Sequence, residues 1–164
     1  MEYLQVFDEK KNKLEEKISR GEKYDLPSDR RFMIILIFIE NAKGEFLLQK
    51  TSKSRNSCIA TTGGHVTYGD TALETVIKEC KEELGINISP DDIIYVDTVL
   101  HKNYFLETFY TKMELDLNNL ILQTEEVESV KWYTKDEISN FIKKGELREG
   151  NIKPYKKVLE YLKK

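Results

Sequence analysis

Between Gly64 and Ile86 the chain carries a glycine-bounded helix with two chemically different faces, and this stretch restricts the fold more than any other. Leu73, Val76, Ile77, Cys80 and Leu84 recur at three- and four-residue intervals, which predicts one apolar stripe on a helix. Asp70 or Thr71 caps its start, and Gly85 suits the left-handed residue that ends a helix. At about 100° per residue, Glu79, Glu82 and Glu83 fall at i, i+3 and i+4 on a second face, roughly a quarter turn or more from the first. Like charges at that spacing destabilise a helix by about 0.2 to 0.5 kcal/mol, so something must offset them. Lys78 and Lys81 relieve part of the repulsion, and a divalent cation relieves the rest. Oxygen-only ligands suit Mg²⁺, Mn²⁺ or Ca²⁺ rather than zinc, which recruits His or Cys. The charges alone also fit a solvated acidic face. The glycine-rich run Gly63-Gly64-His65-Val66-Thr67-Tyr68-Gly69-Asp70 just before the helix favours a metal on a phosphate.

The rest of the chain reads as mixed α/β. With 164 residues and 40% hydrophobic content, residues 1–164 are expected to form one globular domain. Phe32 to Ile39 is an unbroken apolar run rich in Ile, which predicts a buried central strand. Asn41 to Gly44 turns it, and Glu45 to Lys50 returns, predicting a hairpin. Beyond the acidic helix, Ile93 to Leu100, Tyr104 to Leu115 and Val127 to Tyr133 read as strands. Thr134-Lys135-Asp136-Glu137 is a capping-box signature opening a helix to about Lys143. A last helix is expected over 152–164, with Pro154 in its first turn and Tyr155, Val158, Leu159 and Leu162 as its stripe.

Charge and composition exclude several function classes. The net charge is −3 and no basic stretch is concentrated away from the C-terminus, so electrostatic binding of a nucleic-acid polymer is not expected. No apolar run reaches the ~20 residues of a membrane span, and the first residues are too charged for a signal peptide, so a cytoplasmic location is expected. Cys58 and Cys80 are too few for a disulfide framework and read as free thiols.

The spacing from Gly64 to Ile86 resembles the Nudix box: G, five residues, E, seven residues, then R-E-U-x-E-E-x-G-U, with U aliphatic. Gly64, Glu79, Glu82, Glu83, Gly85 and Ile86 match. Asp70 stands where the family usually has Glu, Lys78 where it has Arg, and Cys80 takes the first aliphatic place. The resemblance implies an α/β/α sandwich with a mixed sheet. It also implies hydrolysis of a diphosphate linkage in a nucleoside diphosphate derivative by attack of water on phosphorus. Glu79, Glu82 and Glu83 would hold Mg²⁺, or Mn²⁺, together with the backbone carbonyl of Gly63. Glu82 or Glu79 would take the proton. A further carboxylate often joins from a loop ahead of a late strand; among Glu125, Glu126 and Glu128, Glu126 is the choice by its distance from Trp132. Lys78 lacks the planar fork of arginine, which implies that it supports metal binding with slower turnover.

Gly64 is expected at the substrate, and Lys50, Lys53 and Arg55 bring positive charge just before the loop, where they could hold phosphate oxygens or form an ordinary basic surface. The partner expected is a small-molecule diphosphate, with a homodimer as an option. Residues 1–30 form an extension in which Val6 to Glu9, a turn at Lys10 to Asn12 and Ile18 to Gly21 predict a β-hairpin. Together with the strand that follows and Lys43 to Lys50, this segment resembles the isopentenyl-diphosphate isomerase-like branch of Nudix proteins. True isomerases of that branch carry a cysteine directly before Gly-His. Gly63 occupies that place here, so hydrolase is preferred, with isomerase or a non-catalytic nucleotide sensor as alternatives.

Overall fold

A computed structural model describes residues 2–21, 26–53 and 57–164. Its strands and helices follow one another as β1 (Tyr3–Phe7), β2 (Lys13–Ser19), β3 (Phe32–Glu40), β4 (Phe46–Thr51), β5 (Ile59–Ala60), β6 (Thr62–His65), α1 (Ala72–Leu84), β7 (Ile94–Leu100), β8 (Tyr104–Lys112), β9 (Val127–Tyr133), α2 (Lys135–Lys143) and α3 (Glu149–Leu162). Seven strands make a mixed sheet in the order β5-β4-β3-β8-β7, with β6 also on β3 and β9 also on β4. Among these strands only the central β3–β8 pair is parallel, in register from Phe32↔Tyr104 to Glu40↔Lys112. Buried on both faces, β3 is apolar along nearly its whole length, as such a strand must be.

The alternation of β3 divides the core between two layers. Met33, Ile35, Ile37 and Ile39 meet Val76, Cys80 and Leu84 of α1. Leu36 and Phe38 meet Phe46, Leu48, Ile138 of α2, and Tyr155 and Val158 of α3. The result is the expected α/β/α sandwich. Cys80 is fully buried on the inner face of α1, and burial pushes its thiol up to about 12. Cys58 and Cys80 are both free.

Two local expectations change. The hairpin of β3 and β4 pairs at a single position, Glu40↔Phe46, after which the strands part. Asn41 holds the turn, its Oδ1 accepting from Lys43 N and Glu45 N, but beyond it each strand finds other partners. β3 takes β6, while β4 takes β5 and β9. The strands part because the chain after β5 crosses to β3, and the gap becomes a cleft. The last helix, for its part, begins at Glu149 rather than 152, so Pro154 lies in its second turn. Residues before it are already anchored, since Ile59 N donates to Glu146 O and Arg148 N to Ile59 O. Pro154 removes the bond to the carbonyl of Gly150, four residues earlier, near the helix start where one lost bond costs least.

The N-terminal hairpin forms as expected, β1 pairing antiparallel with β2. It is docked onto the glycine loop. Gln5 N donates to Val66 O, Tyr68 N to Tyr3 O, and Gly69 N to the buried Gln5 Oε1. No helix among the described residues is long and apolar enough to cross a membrane.

Candidate active site

The glycine loop is shaped by close approach. β6 lies antiparallel on β3 with Gly63 opposite Leu36 and Gly64 opposite Ile35. A Cβ on Gly63 would lie 2.6 Å from Leu36 Cδ2 and would also strike the carbonyl oxygen of Ile35. A side chain at this position, the cysteine of an isomerase included, would require β6 to shift on β3. A Cβ on Gly64 would fall 2.6 Å from both Cδ and Oε1 of Glu79. Glycine here lets that carboxylate lie against the strand.

Helix α1 starts at Thr71 rather than Asp70. Thr71 Oγ1 accepts from Glu74 N while Glu74 Oε1 accepts from Thr71 N, a reciprocal capping box. Asp70, released from capping, reaches back to the loop and across to the helix. Its Oδ2 accepts from Thr67 Oγ1 at 2.7 Å and lies 3.8 Å from Lys78 Nζ. Lys78 also donates to Thr67 Oγ1 at 3.4 Å. The two residues that depart from the box pattern are thus partners of each other, tying the loop to the helix. At the far end Gly85 is left-handed, with φ 71°, and its N–H returns to Cys80 O and Lys81 O.

That end also places the fourth carboxylate. Ile121 N donates to Leu84 O and Gln123 N to Glu83 O, so the segment before β9 hangs from the last carbonyls of α1. Gln123 O accepts from Glu126 N, and Glu126 O accepts from Ser52 N. Glu79, Glu82, Glu83 and Glu126 consequently line one cavity of about 420 Å³, together with Gly63 and Gly64. Glu83 is buried at 3% exposure, Glu79 is half-buried and Glu82 is exposed. Burial pushes the Glu79 carboxyl up to about 7, and the neighbouring Glu82 and Glu126 push in the same direction, against Lys78 and Arg20. Glu125 instead offers its carbonyl to Ser52 Oγ, and Glu128 pairs with Lys50 at 3.3 Å.

The donors are all hard oxygens facing one space, and their mutual repulsion is what a divalent cation would remove, so the set fits Mg²⁺ or Mn²⁺. Among the described residues no three His, Cys, Asp or Glu groups yet close on a single point, so the glutamates would close around an ion by changing rotamer.

Of the expected phosphate-binding cations, Lys50 and Lys53 are exposed and do not line the cavity, and Arg55 lies outside the described residues. Lys50 alternates with Gln49 along β4, and it is Gln49 that faces the cavity. Positive charge comes from elsewhere. Arg20 at the end of the hairpin reaches the cavity, its Nη1 2.8 Å from Glu2 Oε2, and Arg148 lines it from the start of α3. His65 and Tyr104 also line it, Tyr104 stacked 4.5 Å from the His101 ring. Sequence reasoning missed Arg20, Arg148, Gln49 and Asn151, because only the folded sheet brings their four segments together.

Comparison with known proteins bears on the family and the fold. The NUDIX domain family matches residues 30–158. An uncharacterized Nudix hydrolase of Listeria innocua is 29% identical over 131 residues, covering 77% of this chain and 76% of that protein. An isopentenyl-diphosphate Delta-isomerase of Escherichia coli is 34% identical over 61 residues only, 35% of this chain and 34% of that one. A crystal structure of a Deinococcus radiodurans protein superposes with a TM-score of 0.71 at 18% identity, covering 88% of this chain and 90% of that one. The chain therefore belongs to the Nudix hydrolase family.

Proposed function

We propose that the chain is a Mg²⁺-dependent hydrolase, with Mn²⁺ as a substitute, that cleaves the diphosphate linkage of a nucleoside diphosphate derivative by attack of water on phosphorus. One observation carries this reading: three glutamates from α1 and a fourth from the segment before β9 share a cavity with two glycines whose backbone is bare of side chains. The bound metal would neutralise the diphosphate oxygens and acidify water. Glu79, Glu83 and Glu126, the more buried carboxylates, hold it with the Gly63 carbonyl. Glu82, open to solvent in the same cavity, takes the proton from water. Gly64 leaves room for the Glu79 carboxylate, so that the phosphates could approach the ion it would hold. Arg20 and Arg148 offset the charge of the phosphate oxygens.

The partial likeness to an isomerase supports a second reading less well, since Gly63 stands where the isomerase carries its cysteine. The test is a panel of dinucleoside polyphosphates, ADP-sugars, dinucleotide cofactors and (d)NTPs with Mg²⁺, with Glu82→Gln as control. Release of phosphate, pyrophosphate or a nucleoside monophosphate, lost in Glu82→Gln, is expected. Deuterium exchange into isopentenyl diphosphate without hydrolysis of the panel would replace this reading by the isomerase. Tight nucleotide binding without turnover, unchanged in Glu82→Gln, would replace it by a sensor.

A further inference from the structure

Strand β4 contributes to the cavity a polar side chain that the hydrolysis does not use. Gln49 is 5% exposed and lines the cavity, and its Oε1 has no hydrogen-bond partner among the described residues. No described protein group donates to this amide oxygen, so the donor it calls for must come from the cavity itself, as water or as a bound ligand. Nearby donors are already committed. Thr61 N donates to Asn151 Oδ1 at 2.8 Å, Thr61 Oγ1 to Ile37 O, and Thr51 Oγ1 to Cys58 O at 3.2 Å. The cavity is also lined by an apolar strip, Ile34 and Leu36 of β3 beside Tyr104 and Leu106 of β8. A second cavity of about 370 Å³ shares Tyr104, Leu106 and Gly150, so the strip continues past the start of α3. An apolar strip beside a buried amide acceptor suits a flat ring bearing an N–H at its edge.

We propose that Gln49 determines specificity in this cavity, its Oε1 accepting a hydrogen bond from the exocyclic amine of a nucleobase that lies on Ile34, Leu36 and Leu106. The proposal takes from the hydrolase reading only that the ligand is a nucleoside phosphate. Adenine and cytosine carry such an amine. Hypoxanthine and uracil place a carbonyl oxygen there, which pairs only if the amide turns to offer Nε2, so the preference requires an amide held with Oε1 toward the ring. A site built to pair a polar group rejects the analogue that leaves it unpaired.

The experiment compares wild type with Gln49→Leu and Gln49→Met. ADP is set against IDP, and CDP against UDP, with Mg²⁺, each scored by hydrolysis and by ligand-induced thermal shift, and each free protein is melted. The wild type is expected to favour the amine member of each pair by about tenfold or more, and both variants to bring the ratio within about twofold. The free variants are expected to melt at or above the wild-type temperature, since an apolar group replaces an unpartnered acceptor. Equal handling of the pairs by wild type, a ratio that survives both variants, or no binding of any of the four nucleotides overturns the proposal. A lower melting temperature in both free variants overturns it too, because Gln49 would then be satisfied in the resting protein. Binding that discriminates the pairs without any turnover of the panel upholds Gln49 and refutes the hydrolase.

Discussion

Replacing Glu79 by glutamine in the metal-free protein tests whether the four carboxylates are held against their own repulsion. Burial, then Glu82 and Glu126, raise the Glu79 carboxyl from its ordinary 4.5 to about 7. A carboxyl raised in this way binds its proton more tightly in the folded chain than in the unfolded one. Stability from this source is full below about pH 4.5 and is lost as pH rises to about 7, above which the loss is complete. The span from 4.5 to about 7, at about 1.36 kcal/mol per pH unit, bounds the loss at about 3 kcal/mol. The titration belongs to the group of glutamates rather than to Glu79 alone, so the full figure is an upper limit. Denaturant unfolding in a chelator at pH 5, 6, 7 and 8 measures it. Groups away from the four glutamates titrate equally in both proteins, so the difference between wild type and Glu79→Gln reads the glutamate cluster as a whole. The variant should gain on wild type by up to about 3 kcal/mol between pH 5 and 8. Mg²⁺ added at pH 8 should stabilise the wild type more than the variant. Parallel pH profiles for the two proteins would refute the reasoning.

Three further substitutions have definite outcomes. Gly85→Ala forces a left-handed alanine whose Cβ would lie 2.8 Å from Ile121 Cβ; the backbone alone costs about 1 to 2 kcal/mol, and Mg²⁺ affinity by calorimetry should fall as Glu126 is displaced. Arg20→Ala removes a cavity cation and should raise KM about tenfold with little change in kcat, the loss of about 1.4 kcal/mol of binding; an unchanged KM would remove Arg20 from the site. Lys78→Arg offers Asp70 a planar bidentate fork in place of a rotating ammonium, and steady-state assay should show kcat rising several-fold; an equal or lower rate would mean that lysine suffices to tie loop to helix.

How much of this was legible in the sequence depended on how local each feature is. The stripe of α1, its left-handed Gly85 and the capping box at Thr134 depend on residues within one or two turns, and all were readable. The separation of β3 from β4 was not, because a turn signal specifies the turn while distant strands choose the partners. The start of α3 was misplaced by three residues because Pro154 reads as a first-turn marker. Contacts of residues 146 and 148 with Ile59 set the true start, and no local signal announces them. At the cavity, Glu79, Glu82 and Glu83 were readable from spacing and Glu126 from its distance to Trp132, whereas Gln49 looked like any polar residue in a strand. The basic residues beside the loop misled, since Lys50 lies on the pleat face opposite the cavity-lining Gln49 and Thr51, is exposed near the strand end, and pairs with Glu128.

The suspension of residues 121–123 from the carbonyls of Leu84 and Glu83 gives the site its mechanical character. Three carboxylates belong to the helix and the fourth to a segment that the same helix end carries, so all four ride on one cooperative unit. Their repulsion acts inside that unit instead of across a hinge, and the helix cannot relax it by swinging away. The cations arrive on separate bodies: Arg20 on the docked hairpin and Arg148 at the root of α3. The negative groups thus share one backbone support, and the positive ones reach the same cavity from two other elements, of which the hairpin is itself hydrogen-bonded to the glycine loop.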